Sequence, residues 1–479
     1  MKVINQLESD TEHAVAIGEA LEDGCVAPGP SEARPGLARV ETGPQRSGEP
    51  MRMLPIAGAQ PEAWIGAAPP GSLRVWGSAN SARDSRPIRI VCGLMLDVVV
   101  VGGGPAGLYS ALLLAEEGFD VVLLEEHATL GAPTHCTGVV SDELSDLFKI
   151  PESLVLSRPT ACLIHSPSDR VFPFVSNGEG IAVVDRGEFD RELGAAAQRA
   201  GVEIRTGVRA ERLRPDPTSM QIVGSAGTLR ARVCVLACGV GYGLQRQLGF
   251  ELPARFLHSA QVEVDASAAR SIVELYLGRA VAPEGFGWTV PMMRGDQPRM
   301  KVGVVARGDA EQSLGRLLAA QSVTERITAP PEAPLRRLLP LAPARRTYGH
   351  RVLTVGDAAG LTKPTTGGGI FYSLLSGLLA AETLTGALRC DRLTAGDLRT
   401  YEDRWRARLG PHLQISSWVR GLFARLADED LEILLEALAS EDVRRVIRHT
   451  ARFNWHGPLI RSLLREPGVK STLFRAFLR

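Results

Sequence analysis

Gly102, Gly104 and Gly107 stand at GxGxxG spacing in the stretch VVGGGPAG. In a chain with 50 glycines that pattern alone says little. Its surroundings say more. Residues 97–101 (DVVVV) are a continuous apolar run, as in a strand covered on both faces. Residues 105–117 place Leu108, Ala111, Leu112 and Ala115 at helical spacing, with Pro at the start and Gly118 at the end. Between such a strand and helix, Gly102 permits a tight turn, Gly104 lets backbone approach a pyrophosphate, and Gly107 allows close packing. Pro105 and Ala106 open a helix whose free N–H groups and positive end suit bridging phosphates. Glu125, 18 residues beyond Gly107, closes the next apolar run. A carboxylate there accepts hydrogen bonds from adenosine ribose hydroxyls and repels a 2′-phosphate.

A second constellation follows residues 351–355 (RVLTV): Gly356-Asp357-Ala358-Ala359-Gly360, then KPTTGGGI, ending in Gly367, Gly368, Gly369 and Ile370. A carboxylate at such a strand end can bind ribityl hydroxyls, and a glycine run lets backbone approach a flavin ring. The helix predicted over 369–387 points its positive end where it would stabilise a negatively charged reduced ring.

The elements that must position these groups begin abruptly. Residues 1–94 are rich in Pro, Gly, Ala, Ser and Arg without sustained periodicity, and read as a disordered extension. Order starts at Met95, which is also where translation is expected to begin. Residues 190–200 read as a helix, and 202–206 and 233–237 as strands. Between 255 and 308, four strands (260–264, 272–277, 287–290 and 301–305) are separated by Gly and Pro turns without helices, the texture of an antiparallel sheet. The chain beyond 398 is mostly helical. The expected organisation is an α/β doubly wound parallel sheet (95–150, 182–254, 331–390), an inserted antiparallel substrate-facing sheet (151–181, 255–330) and a helical region (391–479).

Composition narrows the function. Lys plus Arg equals Asp plus Glu at 54 each, so no net field draws the chain to nucleic acid. Arg336, Arg337, Arg345 and Arg346 read as a solvated loop. Seven scattered cysteines without CxxC spacing argue against a disulfide framework, an iron–sulfur cluster or a bound metal. The reading is a cytoplasmic protein with no secretory signal and no uninterrupted apolar stretch long enough to span a bilayer.

Five segments together resemble the FAD-dependent geranylgeranyl reductase family, within the para-hydroxybenzoate hydroxylase-like flavoproteins. They are VVGGGPAGLYSALLLAEEG with Glu125, APTHCTGVVS, DRGEFDREL, GFGWTVP and GDAAGLTKPTTGGGI, in family order over about residues 96–390. The resemblance implies that Asp357 holds the ribityl chain and glycines 367–369 flank the isoalloxazine. It implies that Arg186 stands near FAD or its reductant, and that Phe286 and Trp288 line an apolar substrate channel. Phe286 and Val290 replace the Tyr and Phe of the family signature, which removes a phenol. Cys136 matches the family's Pro-x-x-Cys-x-Gly element, as proton donor, substrate contact or small apolar filler, with His135 beside it. Cys238 stands near where the superfamily carries an Asp, so that residue's contacts do not transfer.

The reaction implied is C=C reduction in an isoprenoid: hydride from reduced FAD to one carbon and a proton from an acid or water to the other. NAD(P)H or ferredoxin would supply electrons. A flavin monooxygenase or halogenase, and a quinone-linked electron-transfer flavoprotein, share the cofactor signature, although halogenases carry two tryptophans where Trp288 stands alone. Residues 416–438 and 457–479 alternate apolar and polar groups at helical spacing. They read either as helices over the substrate domain or as a peripheral membrane contact that admits a lipid-like substrate.

Overall fold

Val98 to Val101 have almost no solvent exposure, because the Leu96–Val101 strand lies in the middle of a sheet covered on both sides. In this computed structural model, which describes residues 95–175, 179–268 and 270–478, it pairs parallel with Gly227–Leu236 on one side and Val121–Glu125 on the other. Val352–Thr354 and Glu203–Thr206 extend the parallel set outward. The expected extension over 1–94, with Cys25 and Cys92, lies outside the described residues.

Alternation within these strands decides what covers each face. Val98, Val100, Leu123, Val233 and Val235 pack on the helices Pro105–Glu116, Arg186–Arg199 and Ile370–Arg389. Val99, Val101, Val122, Leu124 and Leu236 pack on Leu213, Met220 and Ile222 of a β-hairpin and on Leu244 of a short helix. The Ile370–Arg389 helix is long and apolar enough to cross a bilayer. Here Leu374, Ala380, Ala381 and Leu384 are sealed into the core instead.

The second sheet has seven strands in the order Leu335–Pro340, Phe256–Asp265, Gln297–Ala306, Phe286–Arg294, Ile272–Tyr276, Ala161–His165 and Val171–Val175. It departs from the sequence expectation twice. Ile272–Tyr276 runs parallel to Ala161–His165, so the sheet is mixed. Leu335–Pro340, assigned from sequence to the nucleotide domain and with Arg336 and Arg337 to a loop, pairs antiparallel with Phe256–Gln261. The second sheet therefore reaches Pro340. Its exposed edge carries arginines at adjacent positions, which hid the strand periodicity. The helix Ala310–Ala319, capped by Asp309, covers the face of this sheet carrying Val262, Val302 and Val304.

Five helices complete the chain: Ala395–Phe423, Asp428–Ala439, Glu441–Thr450, His456–Leu463 and Pro467–Leu478. The first starts at a Thr394–Asp397 capping box and is fastened to the nucleotide sheet by buried aromatics. Tyr401 donates to Thr354 O at 2.9 Å, and Trp405 Nε1 to Thr347 Oγ1 at 2.8 Å.

Candidate functional site

The phosphate end is made of backbone. Gly102 has φ +111°, and a Cβ on it would lie 2.3 Å from Ala237 O. A Cβ on Gly107 would lie 2.0 Å from Gly102 O, so turn and helix approach closer than any side chain allows. Glu125 fastens this turn: Oε2 accepts from Gly103 N at 2.6 Å, and Oε1 accepts from His127 N at 2.9 Å and lies 2.5 Å from His127 Nδ1. No side chain caps the Pro105–Glu116 helix, and Gly104, Pro105 and Ala106 face a cavity of about 840 Å³.

That cavity runs on past Arg186, Asp357, Gly367, Gly368, Gly369 and Ile370. Gly102, Gly107, Glu125 and Gly356 stand behind its wall, where they shape rather than line it. Gly356 N donates to Ser376 Oγ at 2.9 Å, which fixes the turn that presents Asp357. Among the described residues, no hydrogen bond from the protein reaches the Asp357 carboxylate, whereas its carbonyl accepts from Tyr242 OH at 2.9 Å and Gly360 N at 3.0 Å. Burial pushes this carboxyl up to about 6, opposed by Arg186 and Arg337. A buried carboxylate without donors is costly, and a polyol reaching into the cavity supplies them. Arg186 gives a matching observation. Its guanidinium donates to Asp190 at 2.5 and 2.8 Å, while Nε has no hydrogen-bond partner in the described protein. Burial works against this charge, but Asp190 overrides it and raises the guanidinium above its ordinary range, with Cys136 adjacent. The glycine cradle, the donor-less carboxylate and the unfilled Arg186 donor fit an FAD laid along the cavity.

Beyond the ring position the wall turns apolar. Phe286 and Trp288 lie with centroids 5.8 Å apart, alongside Val273, Leu275 and Val290. Trp288 Nε1 donates to Gln261 Oε1 at 3.3 Å, and Gln261 Nε2 donates to Cys136 O at 3.3 Å. Lys301 Nζ donates to Cys136 O at 3.2 Å and Thr137 O at 3.0 Å, holding the cysteine loop from below. Gly138 N reaches Cys136 Sγ at 3.4 Å. Cys136, Phe286 and Trp288, chosen from sequence, thus share one chamber. His135 also lines it; burial drives its imidazole down to about 4, so it stays neutral. Cys238 is turned toward Gln245 Oε1 at 3.6 Å, and burial pushes its thiol up to about 11.

Several chamber residues escaped sequence reading. Lys363, Arg420, Phe453, Asn454 and His456 all face the cavity. The 453–456 segment, between two C-terminal helices, is wedged against the nucleotide domain. Asn454 Nδ2 donates to Ser141 Oγ at 3.0 Å and Glu143 Oε2 at 2.8 Å, and Tyr372 OH donates to Asn454 O at 3.0 Å. His456 accepts from Thr365 Oγ1 at 2.6 Å and donates to Phe453 O at 3.0 Å. The apolar alternation of these helices was readable; a polar wedge between them has no periodic signal.

The FAD dependent oxidoreductase family model matches residues 97–164. The chain is similar to digeranylgeranylglycerophospholipid reductase 2 of Methanopyrus kandleri, 31% identical over 372 residues that cover 74% of this chain and 92% of that one. In fold it resembles a geranylgeranyl bacteriochlorophyll reductase-like protein of Thermoplasma acidophilum, with TM-score 0.70, 20% identity, and coverage of 80% and 99% of the two chains. A flavin-dependent brominase matches with TM-score 0.61 at 16% identity, covering 79% of this chain and all of that one.

Proposed function

The chain belongs to the FAD-dependent geranylgeranyl reductase family, and from that premise we propose that it reduces carbon–carbon double bonds of an isoprenoid held in the apolar chamber. The observation that carries this reading is the continuity of one cavity from Gly104–Ala106, past Asp357 and glycines 367–369, to Phe286 and Trp288.

Gly104, Pro105 and Ala106 would hold the pyrophosphate on a turn shaped by Gly102 and Gly107, Glu125 would lie toward the adenosine ribose while bracing that turn, and Asp357 would hold the ribityl hydroxyls. Arg186, Gly356 and residues 367–370 would bound the ring. Reduced FAD, when bound, supplies a hydride to one alkene carbon. The chain's own residues do the rest. Phe286, Trp288, Val290 and Leu275 exclude water and align the chain of the substrate, since an isolated alkene must be held within about 3.5 Å of the donor to react. Cys136 would give the Sγ proton to the other carbon, and the Arg186 cation beside it would stabilise the thiolate left behind.

NAD(P)H or a ferredoxin is the proposed electron source, and the cytoplasmic membrane surface the proposed workplace. Ile433 and Phe474, exposed on C-terminal helices, favour the latter. Failure of the protein to float with liposomes would reject that placement, and flotation unaltered by Phe474→Ser would reject Phe474 as the contact. The activity itself is tested by mixing anaerobically reduced protein with an allylic polyprenyl compound. Reoxidation with a saturated product supports the proposal. Reoxidation only by oxygen, or with halide incorporation, supports the monooxygenase or halogenase alternative instead.

A further inference from the structure

Neighbouring glycines of the ring-side loop lie against opposite charges. A Cβ on Gly369 would stand 3.1 Å from Asp357 Oδ1, and one on Gly368 would stand 2.6 Å from Cε and 3.2 Å from Nζ of Lys363. Asp357 has a place in cofactor binding; Lys363 has none. Its side chain is 5% exposed and faces the cavity. Nζ donates to Phe453 O at 2.8 Å and to Asn454 Oδ1 at 3.3 Å, and lies 4.0 Å from the Phe453 ring centroid.

None of these partners is a counter-ion, and among the described residues no carboxylate lies within ion-pair distance of Nζ. The acidic groups facing it are engaged elsewhere. Glu143 accepts from Asn454 Nδ2 at 2.8 Å and from Trp455 Nε1, and Glu179 accepts from Phe453 N at 2.9 Å. Burial therefore pulls the ammonium down to about 7, against the raising influence of Glu179 and Glu143. On the C-terminal side His456 is held neutral, at about 3, by burial and by Lys363. Arg420 contributes its charge through backbone contacts to Thr365 O at 3.4 Å and to Glu284 O. Asp357 stands across the loop. A buried amine with two neutral acceptors and an aromatic face tolerates either protonation state, and an added negative charge nearby decides between them.

We propose that Lys363 is a redox-coupled proton site: Nζ binds a proton from solvent when the flavin ring is reduced and returns it on reoxidation. This rests on the placement of the ring beside glycines 367–369. A dithionite-type reductant supplies the two electrons, becoming sulfite and releasing its own protons to the solvent. Two electrons and one solvent proton enter the ring, which gains one negative charge, and a second solvent proton goes to Lys363. The pair then changes by no net charge inside a low-dielectric cavity, where an uncompensated charge is most costly.

The test counts protons. FAD-loaded full-length protein is titrated anaerobically with dithionite in weak buffer containing an indicator dye, at several pH values around and above about 7, and the protons released as dithionite and water become sulfite are subtracted, calibrated at each pH with ferricyanide, which accepts electrons without protons. At alkaline pH short of lysine's free range, wild type takes up two protons per flavin and Lys363→Met takes up one. Lys363→Arg also takes up one, because guanidinium is always charged, yet keeps the higher reduction potential that Lys363→Met loses. As pH falls below about 7 the wild-type count drops toward one, since Lys363 is already charged. Protonation of the ring itself makes the count rise instead, and that result overturns the proposal even if both variants fail to fold. Equal counts in wild type and variants overturn it too. A wild-type protein that binds no flavin at all would refute the cofactor reading first, a failure distinct from either.

Discussion

The two ends of the cavity are built by opposite means. The phosphate end is backbone, drawn from residues 102–107 and braced by Glu125, whose carboxylate reaches Gly103 N across 22 residues. The chamber end is side chain, gathered from segments as distant as Ser141 and Asn454, 313 residues apart. A backbone cradle tolerates almost any neighbour but no added Cβ. A side-chain chamber tolerates small shifts, and its chemistry depends on a few charged and aromatic groups. Substitutions at the first end should therefore remove the cofactor, and those at the second should leave it bound and alter what it does.

The sharpest challenge to that contrast is Arg186, a chamber-side charge held by Asp190 one turn along the same helix. Arg186→Met leaves Asp190 buried without its partner and should destabilise the protein by about 3–5 kcal/mol in urea unfolding, with addition of Asp190→Asn regaining much of it. A small loss would mean that Arg186 is not what keeps the Asp190 carboxylate buried. Next in size is Gly102→Ala. Positive φ and a contact at 2.3 Å should cost roughly 3 kcal/mol and leave the purified protein without its yellow flavin band. A flavin-replete variant would break the contrast outright.

Asp357→Asn should weaken FAD by roughly 10–100-fold, the equivalent of about 1.5–3 kcal/mol for hydrogen bonds to a charged group, read by flavin fluorescence on dilution. The acid form of this carboxyl accepts hydroxyls poorly, and its pKa without cofactor is about 6. Hydroxyl donors favour the ionised form, so wild-type affinity should be full above that pH and decline below it; the amide of the Asp357→Asn variant, which does not titrate, should flatten the dependence. The smallest effect expected is that of Trp288→Phe, about 1 kcal/mol in stability from one lost hydrogen bond. Flavin content should be unchanged, and turnover of a polyprenyl substrate should fall more than binding. Loss of flavin in this variant would show that the chamber also holds the cofactor.

The same contrast explains what could be read in the sequence. A cradle of glycines between an apolar run and a helix is local, and Gly102, Gly107 and Glu125 appear where their spacing implies. Asp357 and the glycines after it are local too, and they line the cavity as the resemblance suggests. Lys363 lay within a recognised motif and was still missed, because its meaning comes from Phe453 and Asn454, about 90 residues away. The edge strand Leu335–Pro340 was missed for a different reason. Leu335 to Leu338, including Arg336 and Arg337, are all exposed, and an edge strand open on both faces lacks the apolar run that marked the buried strands. The Ala310–Ala319 helix went unnoticed beside a run of strands, although Asp309 is an ordinary cap for it.

Asn454, anchored to Ser141 and Glu143, has a consequence for how the protein is made. On the ribosome the nucleotide-binding sheet has all its strands once Thr354 has emerged, but the stretch that shuts the chamber is still unsynthesised. A nascent chain can thus acquire its dinucleotide before it can enclose a greasy guest, and only release of the finished polypeptide brings the two activities into one compartment.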